Sequence, residues 1–163
     1  MASIVSSMRT TPHWQEVFYG GLLVALGDMA FATTLWFSWD LDGLARMFRS
    51  IAAGVLGPAS AEGGAPAAWL GVGLHVAMAS SFVLVYTLLG WRMPQLLQHR
   101  VRNGIVYGVL LYVAMNFVVM PLSRIGSSPT FAHLDWITMS VIAHMGFGVI
   151  CVVFANRALR SGR

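Results

Sequence analysis

Residues Trp69 to Trp91 read WLGVGLHVAMASSFVLVYTLLGW: twenty-three positions without a charge, and with one histidine, His75. At about 1.5 Å of rise per residue, such a helix covers the ~30 Å hydrocarbon layer of a bilayer. Three further stretches read the same way: Val17–Trp39, Gly104–Leu122 and Trp136–Ala155. The chain has 163 residues, of which 57% are hydrophobic and 10% charged, with a mean hydropathy of +0.70. A water-soluble domain carries about 25% charged residues. A chain this apolar has lipid as its solvent, and in lipid every backbone polar group must be satisfied within its own helix. The expected fold is therefore all-α, a four-helix membrane bundle forming a single domain over residues 1–163, with spans near 17–39, 69–91, 104–122 and 136–155.

The connection between the first two spans carries an element of its own. Leu41, Leu44, Ala45, Phe48, Ile51, Ala52, Val55 and Leu56 recur at helical spacing, with Asp42, Arg46, Arg49 and Ser50 opposite. This pattern predicts an amphipathic helix over 41–57, lying on the bilayer surface or dipping into it as a re-entrant turn. Gly57-Pro58 ends it, and Glu62-Gly63-Gly64 leads into the second span. Pro121 is expected to end the third span, and Ser127-Ser128-Pro129 to make the following turn.

Charge placement orients the bundle. All ten basic residues are arginine. Arg9, Arg92, Arg100, Arg102, Arg157, Arg160 and Arg163 fall on one side, and Arg46, Arg49 and Arg124 on the other. Seven against three puts both termini in the cytoplasm of a bacterial inner membrane. The tryptophans Trp14, Trp36, Trp39, Trp69, Trp91 and Trp136 sit near the span ends, as an aromatic belt requires. The net charge of +4 belongs to these flanks, so the bilayer is the expected partner and nucleic acid is not. The first span is too long for a cleaved signal core and reads as a retained helix. The single cysteine, Cys151, lies inside the fourth span and reads as packing.

Polar residues inside the spans mark where function would sit. Asp28 lies about 16 Å from the cytoplasmic end of its helix, His75 and Asn116 about 9 Å from the outer surface, and His144 about 12–14 Å below it. All four share one layer in the outer half. Gly71-x-x-x-His75-x-x-x-Ala79 and Ser140-x-x-x-His144-x-x-x-Gly148 flank both histidines with small residues, which lets helices approach and turns the histidine faces inward. Asp28 has Gly20, Gly21, Ala25, Gly27, Ala30 and Ala32 around it. An ionised carboxylate at this depth is costly, so Asp28 is expected to be paired, hydrated or protonated, with His75, His144 or an inward-reaching Arg124 as partners. Tyr112 stands one turn from Asn116 and joins the same layer.

Several chemistries use this layer. Asp28 and the two histidines form a titratable chain suited to relaying a proton or binding an ion or small ligand. His75 and His144 on facing helices are the candidate ligands of a haem b or a metal. Imidazole with Met29, Met78, Met115, Met120, Met139 and Met145 suits copper(I), although methionine is an ordinary filler of membrane helices. Polar side chains also simply hold helices together, at about 0.6 kcal/mol per contact. No Gly-x-Ser-x-Gly elbow, phosphate loop or dinucleotide fingerprint is present. An enzyme acting on lipid at the interface would draw on His75, Asp28 and Glu62. The bundle reads as a binding or relay protein with no resident cofactor, acting alone, as a homo-oligomer, or as a non-catalytic accessory subunit of a larger membrane complex.

Certain strings also resemble a group of small bacterial membrane proteins. They are Ile51-Ala52-Ala53-Gly54-Val55-Leu56-Gly57, Glu62-Gly63-Gly64, Leu70-Gly71-Val72-Gly73-Leu74-His75, Gly104-x-x-Tyr107-Gly108, Val119-Met120-Pro121-Leu122-Ser123 and the late His144. The resemblance to this group covers about residues 17–158, and the group in turn distantly resembles the YagU-like inner-membrane family. The resemblance implies four spans, an inner-membrane location and a link to acid tolerance.

Overall fold

The computed structural model describes residues 11–126 and 133–160. The turn expected at 127–129, and the flanking Arg9 and Arg163, lie outside these residues. Among the described residues the fold is all-α, and four helices are long and apolar enough to cross a membrane: α1 (Trp14–Trp36), α3 (Gly64–Arg92), α4 (Arg100–Leu122) and α5 (Leu134–Leu159). Between the first two lies the shorter amphipathic α2 (Leu41–Leu56). Exposed leucine, isoleucine, valine and phenylalanine side chains ring the outside, among them Phe18, Leu26, Val106, Leu110 and Ile142. Such a surface is stable only against lipid, and the protein is a multi-pass membrane protein. All six tryptophans are exposed, near the ends of the spans.

The His13 N–H donates to the Ala158 carbonyl at 2.8 Å, so the start of α1 and the end of α5 meet at one end of the bundle. We call this end proximal and the other distal. Helix α5 packs against each of the other three spans. Glycines set its closest approach. A Cβ on Gly148 would run into the backbone of Gly104 and Gly108, and one on Gly108 into the His144 carbonyl. Helices α1 and α3 meet in the same way, with Gly21 against the backbone of Ser80. Below these crossings the proximal half is close-packed: Val83, Cys151, Val152, Ala155 and Ala158 are fully buried.

Helix α2 begins where the sequence places it. Asp40 caps it by accepting the Gly43 N–H at 2.6 Å, and Gly57, at φ +69°, turns the chain out of it, a conformation natural to glycine. Asp42 and Arg46 pair on its outer face. The helix lies across the distal end. Met47 receives the Thr33 hydroxyl of α1, the Phe48 backbone rests on Gly71 of α3, and the Gly54 carbonyl accepts the Arg124 N–H just beyond α4 at 2.9 Å. The face turned to the bundle carries Gly43, Met47 and Ala52, while Leu41, Val55 and Leu56 of the apolar stripe stay exposed. Small residues permit the close contact, and the bulkier ones are left facing outward.

All four spans begin two to five residues earlier than expected, and α3 and α5 also end later, at Arg92 and Leu159. Helix α1 stops at Trp36, not Trp39, because Phe37 turns extended and Asp40 is already capping the next helix. Helix α4 ends at Leu122, as expected, one residue past Pro121. The proline also disturbs the helix upstream, as a π-helical turn over Met115–Val119 in which the Met120 N–H reaches back to the Met115 carbonyl. Proline has no N–H to give and its ring crowds the carbonyl one turn back, so the wider turn absorbs the misfit.

Candidate functional site

Each of the four spans contributes one of the buried-type polar residues, and the fold brings them to one place. Asp28 of α1, His75 of α3, Asn116 of α4 and His144 of α5 all line a single cavity of about 240 Å³ in the distal half. The residues between them are apolar or soft: Trp36, Met78, Phe82, Met115, Met120 and Phe147. Small flanking residues at Gly71 and Gly148 do what their spacing suggests, letting α2 and α4 come close enough to turn both imidazoles inward.

His75 is held on three sides. Its Nε2–H donates to the Ala25 carbonyl at 2.9 Å, and its ring meets Phe48 of α2 edge-on at 6.2 Å. Asp28 lies one turn beyond Ala25, on the same face of α1. Its Oδ2 is 3.8 Å from His75 Nε2, an electrostatic contact too long for a hydrogen bond. His75 keeps 12% of its side chain exposed and Asp28 37%.

His144 gives its Nδ1–H to the Ser140 carbonyl at 2.8 Å. A carbonyl can only accept, so Nδ1 carries a proton, and in the neutral ring this bond leaves Nε2 as the lone pair. The ring sits between Tyr112, at 5.5 Å and nearly perpendicular, and Phe147, at 5.7 Å. Asn116 lies in the π turn and donates to the Tyr112 carbonyl at 3.0 Å. A π turn inside an α-helix is rare and recurs at functional sites, because the extra residue rotates the remainder of the helix and loosens the local ladder.

The cavity has a mouth and a floor. A second space of about 230 Å³ shares Trp36, Asn116 and Ser140 with it and extends distally to Tyr112, His133 and Trp136. His133 stacks on Trp136 there at 4.2 Å. On the proximal side Phe82 and Leu111 close the space. Beneath them the Tyr107 hydroxyl donates to the Phe82 carbonyl at 2.7 Å, and its ring packs on Tyr86 at 4.8 Å. Tyr86 and Asn103 both donate to the Leu96 carbonyl, at 2.9 and 2.7 Å. This tyrosine layer sits on the fully buried Val83, Cys151 and Val152. Among the described residues the cavity is blind, with its polar walls toward the distal end.

Two residues expected near the site lie elsewhere. Arg124 is exposed and tied by its backbone to α2, with no ion pair to Asp28. Glu62 is exposed at the end of the 3-10 turn Gly57–Ala61. Among the described residues no group of three or more His, Cys, Asp or Glu side chains gathers as metal ligands. Sequence spacing offered no sign of the π turn, of the Phe48 contact to His75, or of Trp36 as a wall.

Comparison of the chain with protein-family models, with curated proteins and with solved structures finds no match.

Proposed function

We propose that this is a small inner-membrane protein that binds an ion or small ligand, delivered from the periplasm, in the blind cavity of its distal half. One observation carries the reading: four polar side chains, one from each span, line the same cavity. Helix-gluing contacts need only pairs, and would not leave an open space between them. The closed floor favours binding over a continuous proton path. Among the described residues, the titratable groups beneath Phe82 and Leu111 are the two tyrosines, both bonded to carbonyls, and the fully buried thiol of Cys151.

The orientation rests on the arginines: among the described residues Arg92, Arg100, Arg102, Arg157 and Arg160 belong to the proximal end, against Arg46, Arg49 and Arg124 at the distal end. It places the proximal end in the cytoplasm and α2 on the periplasmic surface. The YagU-like resemblance points to the same membrane.

Cysteine accessibility tests both parts. Asn116→Cys should react with a membrane-impermeant maleimide added to intact spheroplasts, while the buried native Cys151 stays unlabelled. Labelling of Asn116→Cys only from the cytoplasmic face, or from neither face, would overturn the reading.

A further inference from the structure

The hydrogen-bond inventory of the cavity is one-sided. His75 has already given its Nε2 proton to Ala25, and His144 its Nδ1 proton to Ser140. Asn116 gives its amide nitrogen to Tyr112, which leaves Oδ1 as an acceptor. Asp28 accepts no hydrogen bond from the described residues; its nearest ionic neighbour is the His75 nitrogen at 3.8 Å. Arg124, the cation nearest in sequence to the distal end of α4, is bound to α2. The balance is therefore toward acceptors: lone pairs and a carboxyl face the space, and the donors left on its wall are the Ser140 hydroxyl, the Trp36 indole N–H and the second amide hydrogen of Asn116.

A carboxylate in a membrane layer that accepts no hydrogen bond, with one imidazole nitrogen at 3.8 Å as its nearest ionic neighbour, is poorly compensated. The remaining walls are suited to a positive guest. Trp36, Phe82 and Phe147 supply aromatic rings, which attract cations, and the methionines supply adaptable, polarizable side chains. The volume narrows the choice. At about 240 Å³ the cavity far exceeds the ~10–15 Å³ that one water needs, so a lone metal ion would leave most of it empty.

We infer that the cavity takes a small organic ammonium ion, its N–H groups directed at Asp28, Asn116 Oδ1 and His144 Nε2, and its hydrocarbon part against Trp36, Phe82 and Phe147. This deepens the binding reading above and rests on it. The charged nitrogen replaces the protein donor that Asp28 lacks. The His144 ring, its Nδ1–H bonded to the Ser140 carbonyl, presents Nε2 to the guest, while the His75 Nε2–H stays bonded to the Ala25 carbonyl.

Calorimetric titration of the full chain in lipid nanodiscs, with butylammonium and with 1-butanol, separates the possibilities. Butylammonium should bind and 1-butanol should not. Asp28→Asn should weaken butylammonium binding by at least about tenfold, with an unchanged elution profile and circular dichroism. If Asp28→Asn does not fold, the comparison of the two probes on the unaltered protein still decides. Equal binding of 1-butanol, or undiminished binding by a folded Asp28→Asn, overturns the inference while leaving a ligand cavity in place. Binding of silver(I), used as a stand-in for copper(I), in the absence of butylammonium binding does the same and assigns the site to a soft metal. If none of the three binds, and Asn116→Cys is also inert to maleimide, both the inference and the binding reading fall.

Discussion

The two ends of the bundle are built differently from the same four helices. In the proximal half backbones touch: Gly104 and Gly108 lie against Gly148, and Val83, Cys151 and Val152 are sealed from any solvent. In the distal half the same helices separate around a cavity, and α4 changes from α to π geometry at Met115. Helix α4 shows the contrast most directly, because the Gly108 contact with the His144 carbonyl lies just below the level where Asn116 enters the void. A cavity lined from four helices persists only if those helices cannot slide together. The glycine crossings fix the spacing at one end, and α2, laid across α1, α3 and the exit of α4, fixes it at the other. The dense half and the amphipathic strap together hold the loose half open.

The strongest attack on this picture is Gly148→Leu. The added side chain would meet backbone on both sides, where no rotamer change gives relief. Overpacking of a core typically costs about 1–3 kcal/mol and more when backbone must move, so little folded protein should survive size-exclusion chromatography. A well-behaved Gly148→Leu protein would mean that the crossing is not what sets the helix spacing. Next in size is Tyr107→Phe, which removes the donor to the Phe82 carbonyl from the layer beneath the cavity. A hydrogen bond of this kind is worth about 1 kcal/mol, to be read as a lowered thermal midpoint. Ligand binding should be unchanged, since the hydroxyl faces away from the site.

Much of this architecture was legible in the residues. The spans follow from apolar length, α2 from the periodicity of Leu44, Phe48, Ile51 and Ala52, and the common depth of Asp28, His75, Asn116 and His144 from counting along the helices. The inward turn of both imidazoles was written in the glycines, serine and alanine one turn away. The rest depended on facts that spacing does not encode. A π turn leaves no periodic trace, and Pro121 marked the disturbance without giving its form. Arg124 looked free to reach inward, but a backbone bond to Gly54 anchors that loop to α2. The tyrosine floor appears only once α3 and α4 are known to face each other through Tyr86 and Tyr107.

Ser140→Leu tests the loose half in the opposite sense to Gly148→Leu, on the same face of the same helix two turns away. Ser140 borders both spaces, so a larger side chain there has room. The protein should fold with a thermal midpoint close to that of the unaltered chain, but the leucine should plug the passage. Maleimide labelling of Asn116→Cys should then be lost in the double variant. If Ser140→Leu unfolds as readily as Gly148→Leu, the distal half is as tightly specified as the proximal one and the contrast fails.

The smallest effect concerns the strap. The Asp40 carboxyl is held below the usual carboxylate range, first by the Gly43 N–H and then by the Ser38 hydroxyl. A carboxyl whose value is lowered on folding stabilises above its unfolded value, near 3.9, and that contribution disappears as pH falls through the lowered folded value. Hydrogen-exchange protection in the first turn of α2 should therefore decline as pH drops below about 4. Asp40→Asn keeps a capping oxygen but cannot titrate, so its protection should stay flat over the same range. A parallel decline in both proteins would mean that the cap carboxylate does not control this turn. The change should remain local, because Met47, the Phe48 backbone and Gly54 tie α2 to three spans independently of its cap. Fraying one turn therefore leaves the strap in place, and the cavity beneath it should bind its ligand as before.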